Sequence, residues 1–244
     1  MLDSVSIVLP CYNEQEAIPQ VIPRLTKTLE DLKQSSKINS FEIIVVDDKS
    51  TDDSRELLLK HSHIKTISTE GKKRGYGKAL KTGFKAASGE WIGFLDMDNT
   101  YRPEDIQNFV KVLIENKNEA LMGLRPFNDK GMSFTRGLGN WVYVVLASTF
   151  YGSQLNDVCS GYRFFHRKWL NEVLSITEDG LDFSIKLTLM MISNIKSFDS
   201  IPIRYDERLG QSKLSVVADG WSFLKVLLIS KIRSTSALKH SRVQ

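Results

Sequence analysis

The run Phe41-Glu42-Ile43-Ile44-Val45-Val46-Asp47-Asp48 is largely apolar and β-branched until it stops at two acids. A strand covered on both faces reads this way, because neither face has to carry polar side chains. Upstream, SVSIVLP (residues 4–10) repeats the pattern and ends at a proline; downstream, EWIGFLD (residues 90–96) ends at an acid. Between these runs the apolar period changes to that of a helix. Ile18, Val21, Ile22, Leu25, Leu29 and Leu32 share one face of a helix expected from Glu16 to about Leu32, with Asn13 and Glu16 spaced as a variant capping box. A second helix is expected after Ser50-Thr51-Asp52, with Asp48, Asp52 and Asp53 read as caps, and a third from about Gly77 to Ala87. Strands alternating with helices of this length predict βαβ units and an open parallel sheet in an α/β fold.

After Asp98 the pattern changes. Pro103 opens a helix, ALMGL (residues 120–124) is a brief strand, a long apolar helix is expected from about Met132 to Phe150, and SFDSIPIRY (residues 197–205) is a last strand before a polar loop. No repeat or linker divides the chain, so one domain is expected over residues 1–213, with halves at 1–100 and 101–213 and a tail at 214–244. At 244 residues, 41% hydrophobic and 25% charged, the composition is globular and excludes disordered, collagenous and disulfide-rich classes. Lys and Arg number 33 against 29 Asp and Glu, and the resulting +4 is too small to claim nucleic acid as a partner. Cys11 and Cys159 lie far apart without metal-ligand spacing, which implies reduced thiols and a cytoplasmic setting. No run is long and apolar enough to span a bilayer.

Ligands of open α/β sheets bind beyond the carboxyl ends of the strands. Three strand ends carry acids there: Glu14 after the first, Asp47 and Asp48 after the second, Asp96 and Asp98 after the fourth. Carboxylates crowded on one rim repel unless a cation or hydrogen-bond donors compensate. The Asp96-Met97-Asp98 spacing allows both acids to face one divalent ion, and oxygen ligands suit Mg²⁺ or Mn²⁺. The segment Gly71-Lys72-Lys73-Arg74-Gly75-Tyr76-Gly77-Lys78-Ala79 is neither a Walker loop nor a dinucleotide fingerprint, since the spacing is one residue too long, Ala79 replaces Ser/Thr and Leu80 replaces the third glycine. Two readings stay open: a basic loop, with Lys78, meeting a diphosphate at a helix N-terminus, or a solvated turn. His61, His63, His166 and His240 form no catalytic pattern with Ser or Cys, which argues against covalent catalysis.

PCYNEQEAI, EIIVVDDKSTDDS, GYGKALKTGFKAASGEWIGFLDMD, DVCSGYRFF and ERLGQSKL, in this order over about residues 5–215, resemble family 2 glycosyltransferases of the GT-A fold, in particular the polyprenyl- or dolichyl-phosphate sugar synthases. The resemblance implies a Rossmann-like, mostly parallel sheet with helices on both faces. It also implies that Pro10, Tyr12, Glu14 and Asp47 hold the nucleoside of a nucleotide-sugar donor, and that Asp96 and Asp98 bind Mg²⁺ or Mn²⁺ on its diphosphate. Arg125, Arg136 and Asn140 would meet the acceptor phosphate, with help from Arg163, while Arg208 and Lys213 close over the diphosphate. Where many members have a Gln near the metal, this chain has Thr100, a poorer ligand.

The implied reaction is inverting transfer of a sugar, from a donor of the GDP-mannose or UDP-glucose type, to a polyprenyl or dolichyl phosphate. Such an acceptor is largely dianionic at neutral pH and needs little general-base help, so Asp157 has two readings, orienting Arg163 or acting as a base. Other readings are a sugar-hydroxyl acceptor, a non-catalytic GT-A binding partner, or a nucleotidyltransferase. Residues 214–244 carry Lys225, Lys231, Arg233, Lys239 and Arg242 against Asp219, a surplus equal to that of the whole chain, alongside Trp221 and many aliphatics. Many relatives continue into transmembrane helices. An amphipathic helical tail lying on anionic lipid is therefore expected here, placing the protein peripherally on the cytoplasmic face of a membrane, with a last helix packed on the core as the alternative.

Overall fold

A computed structural model describes residues 1–126, 144–145, 148–149, 157–211 and 222–226. The strands are β1 (Leu2–Cys11), β2 (Ile38–Asp47), β3 (Lys65–Ser68), β4 (Trp91–Phe94), β5 (Ala120–Leu124), β6 (Arg163–His166) and β7 (Phe198–Pro202). They form one sheet in the order β3-β2-β1-β4-β6-β5-β7. The pairs β1–β2, β2–β3, β1–β4 and β5–β7 are parallel, whereas β6 runs antiparallel to both β4 and β5. Both halves of the chain thus contribute to a single sheet, which is mostly parallel as expected. Strand β6 was not anticipated, because RFFH is too short to show a period and carries a buried arginine.

The period of two in β1 builds both layers. Val5, Ile7 and Leu9 face a cluster that includes Val21, Ile22, Leu25 and Leu29 of helix α1 (Ile18–Gln34) and Ile106, Phe109 and Val110 of helix α4 (Ile106–Asn116). Val8 faces the other side with Ile44 and Val46, against Leu80 and Phe84 of helix α3 (Tyr76–Ala86) and Phe183 and Leu187 of helix α6 (Phe183–Asn194). The shorter helices are α2 (Ser54–Leu59) and α5 (Leu170–Leu174).

The expected capping box does not form. Residue 17 precedes α1 without a side-chain cap, and the Asn13 amide instead accepts from Thr51 N at 2.7 Å. A missing cap costs roughly 1 kcal/mol, which is small beside about 1.5–3 kcal/mol for each buried aliphatic side chain, so burial of one face suffices to fix α1. Asn13, Lys49 and Asn99 follow the ends of β1, β2 and β4, and each takes a left-handed conformation, with φ of 53°, 66° and 68°. These turns bring the acids after the three strands to one rim.

Of the tail, residues 222–226 are helical, and Phe223 and Val226 are buried with Val158, Ile185 and Leu189. The Ser222 hydroxyl donates to Asp182 Oδ2 at 2.6 Å. These five residues therefore pack on the body as the alternative reading had it; the rest of the tail, and most of the helix expected from Met132 to Phe150, lie outside the described residues. Among the described residues no helix is long and apolar enough to cross a membrane.

Candidate active site

A cleft of about 570 Å³ opens beyond the carboxyl ends of β1, β2 and β4. Its walls include Pro10, Tyr12, Glu14, Asp48, Tyr76, Asp96, Asp98, Arg125 and Arg208, and Phe223 of the tail also reaches it. Of the residues singled out in the sequence, the cleft brings Pro10, Tyr12, Glu14, Asp96, Asp98, Arg125 and Arg208 together. Asp47 is buried, accepts Ser50 N at 2.9 Å and does not line the cleft. Its neighbour Asp48, read as a cap, does line it. Its Oδ2 accepts Gly75 N at 2.7 Å and its Oδ1 the Thr69 hydroxyl. Alternation along β2 explains the exchange: consecutive acids point to opposite faces. Arg136, Asn140 and Lys213 lie outside the described residues.

The glycine-rich segment serves packing. Gly77 N and Lys78 N, in the first turn of α3, donate to Gly180 O at 3.2 Å and Asp179 O at 3.1 Å. A Cβ on Gly75 would lie 2.2 Å from Asp179 O, so that residue is glycine to let the two segments meet. Two of the N–H groups at the N-terminus of α3 are therefore already paired within the protein. The Lys78 ammonium bonds Glu70 O and, at 2.9 Å, Lys73 O, which closes the loop on itself. Arg74, beyond that loop, lies with its guanidinium 3.8 Å from the centroid of the Tyr12 ring.

Asp157 pairs with Arg125 rather than Arg163. Arg125 Nε donates to Oδ2 at 2.7 Å and Nη2 to Oδ1 at 2.8 Å, while Cys159 N donates to Oδ1 at 3.0 Å. Burial raises the Asp157 carboxyl, but the Arg125 charge and these bonds outweigh it and hold the group below its ordinary value. Arg163 is fully buried below the cleft. Its Nε donates to Ser160 O at 2.9 Å and Nη2 to Ser184 O at 3.0 Å, so it braces main chain and does not reach the cleft.

Met97 is buried, which leaves Asp96 and Asp98 together on the cleft side. Burial first, then the Asp98 charge, push the Asp96 carboxyl up to about 7, against the hydrogen bond from Tyr76. Asp98 Oδ1 accepts from Thr100 N at 3.0 Å and from the Thr100 hydroxyl, so Thr100 supports this carboxylate. Arg208 bridges Asp98 Oδ2 and Glu14 Oε1, both at 2.5 Å. Among the described residues no three His, Cys, Asp or Glu side chains could hold a metal by themselves. Two hard carboxylates fit a Mg²⁺ or Mn²⁺ ion whose shell is completed by substrate phosphate and water. Cys11 and Cys159 also border the cleft, and burial, the largest cause for each, pushes both thiols to about 12; they stay protonated and are poor nucleophiles.

Residues 6–174 match the model of the family described as glycosyl transferase family 2, and the chain belongs to that family. It is 27% identical over 232 residues to the low-salt glycan biosynthesis hexosyltransferase Agl6 of Haloferax volcanii, which covers 93% of this chain and 54% of that protein. Over 222 residues it is 29% identical to the undecaprenyl-phosphate 4-deoxy-4-formamido-L-arabinose transferase of Salmonella choleraesuis, covering 88% of this chain and 63% of that protein. The chain thus spans between about half and two thirds of the length of these relatives. The fold is similar to that of glucosyl-3-phosphoglycerate synthase from Mycobacterium tuberculosis in complex with Mn²⁺, UDP and glucosyl-3-phosphoglycerate, with a TM-score of 0.71 and 20% identity over 93% of this chain and 79% of that one. This likeness establishes the GT-A architecture expected from the sequence.

Proposed function

We propose that this chain transfers a glycosyl group from a nucleoside-diphosphate sugar to a polyprenyl-type phosphate, with a Mg²⁺ or Mn²⁺ ion held by Asp96 and Asp98. The observation that carries this reading is the placement of Arg125, locked by Asp157, in the same cleft as the Asp96 and Asp98 pair. The relatives named for hexosyl transfer and for an undecaprenyl-phosphate acceptor support it, as does a structural neighbour holding Mn²⁺ and UDP.

In this reading Tyr12 and Glu14, with Pro10 and Asp48, receive the nucleoside, and Arg208 borders the diphosphate. Asp96 and Asp98 would hold the divalent ion, which would supply positive charge to the leaving diphosphate. An acceptor phosphate oxygen attacks the anomeric carbon from the face opposite the diphosphate. The bond from that carbon to the diphosphate oxygen breaks, the electron pair leaves with the nucleoside diphosphate, and the configuration inverts. The nucleophile already carries its negative charge, so no residue has to remove a proton. Arg125, whose Nε and Nη2 are held by Asp157, brings its positive charge to that phosphate. Arg136 and Asn140 join it on the acceptor side, and Arg163 supports the floor through main chain. Arg208 moves from the carboxylates to the departing diphosphate, where its guanidinium, joined by the charge of Lys213, stabilises developing charge. The basic tail meets anionic lipid at the cytoplasmic face, since the acceptor's hydrocarbon stays in the bilayer.

The test follows nucleoside diphosphate release from a panel of UDP- and GDP-sugars, with undecaprenyl phosphate or undecaprenol as acceptor. Release that requires the phosphate supports the reading, whereas equal release with the alcohol assigns a hydroxyl acceptor instead.

A further inference from the structure

The turn that opens α3 touches two of the rim carboxylates at once. Gly75 N donates to Asp48 Oδ2 at 2.7 Å, and the next side chain, Tyr76, donates its hydroxyl to Asp96 Oδ1, also at 2.7 Å. Asp48 follows β2 and Asp96 follows β4, so one dipeptide joins the two strand ends. The turn is held from behind by the Asp179 and Gly180 carbonyls described above. Lys81, one turn into α3, adds bonds to Ile176 O at 2.8 Å and Glu178 O at 3.0 Å. On its other side Asp96 lies against main chain. A Cβ built on Gly161 would stand 2.4 Å from Asp96 Oδ2, and Gly161 N is fixed by a 2.7 Å bond to the Tyr101 hydroxyl oxygen. The Asp96 carboxylate is therefore clasped between a phenol and a backbone that only glycine leaves open.

We propose that Tyr76 is a positioning residue for the cation ligand Asp96: its hydroxyl sets the rotation of the carboxylate so that Asp96 and Asp98 present oxygens to one ion. The inference rests on the functional reading above, in which the site holds a divalent cation with a nucleoside diphosphate. A carboxylate with one oxygen already hydrogen-bonded is oriented before the ion arrives, and loss of such a supporting partner commonly lowers metal affinity by about 10–100-fold. The Tyr76 ring packs against the core cluster on the α3 side of the sheet, so Tyr76→Phe keeps the packing and removes only the hydroxyl.

The experiment titrates Mn²⁺ by electron paramagnetic resonance in the presence of UDP or GDP, with wild type, Tyr76→Phe, Asp96→Asn and the double variant. Tyr76→Phe is expected to bind Mn²⁺ at least about tenfold more weakly, with an unchanged melting temperature and unchanged affinity for nucleotide without metal. Added to Asp96→Asn, it should cost nothing further, because Tyr76 acts through Asp96. Equal Mn²⁺ affinity in wild type and Tyr76→Phe, or losses that simply add in the double variant, overturn the inference while leaving the functional reading intact. A wild-type chain that binds no Mn²⁺ with either nucleotide overturns both.

Discussion

Replacing Asp157 with Asn tests whether this acid positions or reacts. The side chain is fully buried, and its carboxylate takes two bonds from the Arg125 guanidinium, one from Arg125 N and one from Cys159 N. Asn keeps the shape but strands the Arg125 guanidinium, itself only 12% exposed, against a neutral amide. Removing one partner of a buried ion pair costs about 3–5 kcal/mol, which for a chain of this size lowers the melting temperature on the order of 10 °C. The pH dependence has a definite sign. The folded-state pKa of Asp157 lies below its unfolded value of about 3.9. The stability it contributes is therefore fully present above that value and lost as pH falls through the folded one. Thermal unfolding of wild type and Asp157→Asn should differ by a constant amount from pH 5 to 8 and converge only in strong acid. A positioning acid also leaves the acid limb of the pH–rate profile where it was, while activity falls through misplacement of Arg125. A loss under about 1 kcal/mol, or removal of an acid-limb pKa by the substitution, would refute the positioning role.

Three further outcomes are expected. Gly75→Ala sets a methyl 2.2 Å from Asp179 O and should destabilise the chain by about 1–3 kcal/mol, the usual cost of overpacking; urea denaturation reads it, and a neutral result would mean the turn is not tightly held. Arg208→Gln removes the cation already seated between Glu14 and Asp98, so Mn²⁺ without nucleotide should bind more tightly while turnover falls, and metal titration beside steady-state kinetics separates the two effects. Charge reversal at Lys231 and Arg233 should weaken co-sedimentation with anionic vesicles at low salt, with no change in melting temperature; vesicle binding that is insensitive to both charge and salt would remove the tail from the membrane contact.

How much was legible in the sequence depended on the range of the interaction. Unbroken apolar runs gave β1, β2 and β4, because strands covered on both faces need no polar partner, and the acids that end them gave the rim. Residues whose role depends on a distant contact were not legible. Asp48 reads like a helix cap until Gly75 and Thr69, 27 and 21 residues away, are brought to it by α3 and β3. For Asp157 the resemblance offers two readings, orienting Arg163 or acting as a base, whereas its partner is Arg125, 32 residues upstream. Tyr76 lay inside a glycine pattern that drew attention to phosphate binding, although those glycines allow close packing against residues 178–183. The one signal that could have found Tyr76 is a hydroxyl between two glycines directly after a basic loop.

The central claim is transfer to a lipid phosphate through a carboxylate-held cation. The most direct measurement incubates the full chain with a panel of radiolabelled nucleotide sugars, Mn²⁺ and undecaprenyl phosphate, extracts the lipid, and repeats the reaction with excess chelator and with Asp98→Ala. The account predicts a lipid-linked sugar from at least one donor, absent with chelator and reduced by orders of magnitude in the variant. A lipid product formed equally well in chelator, or sugar found on a hydroxyl acceptor and never on the lipid phosphate, would contradict it.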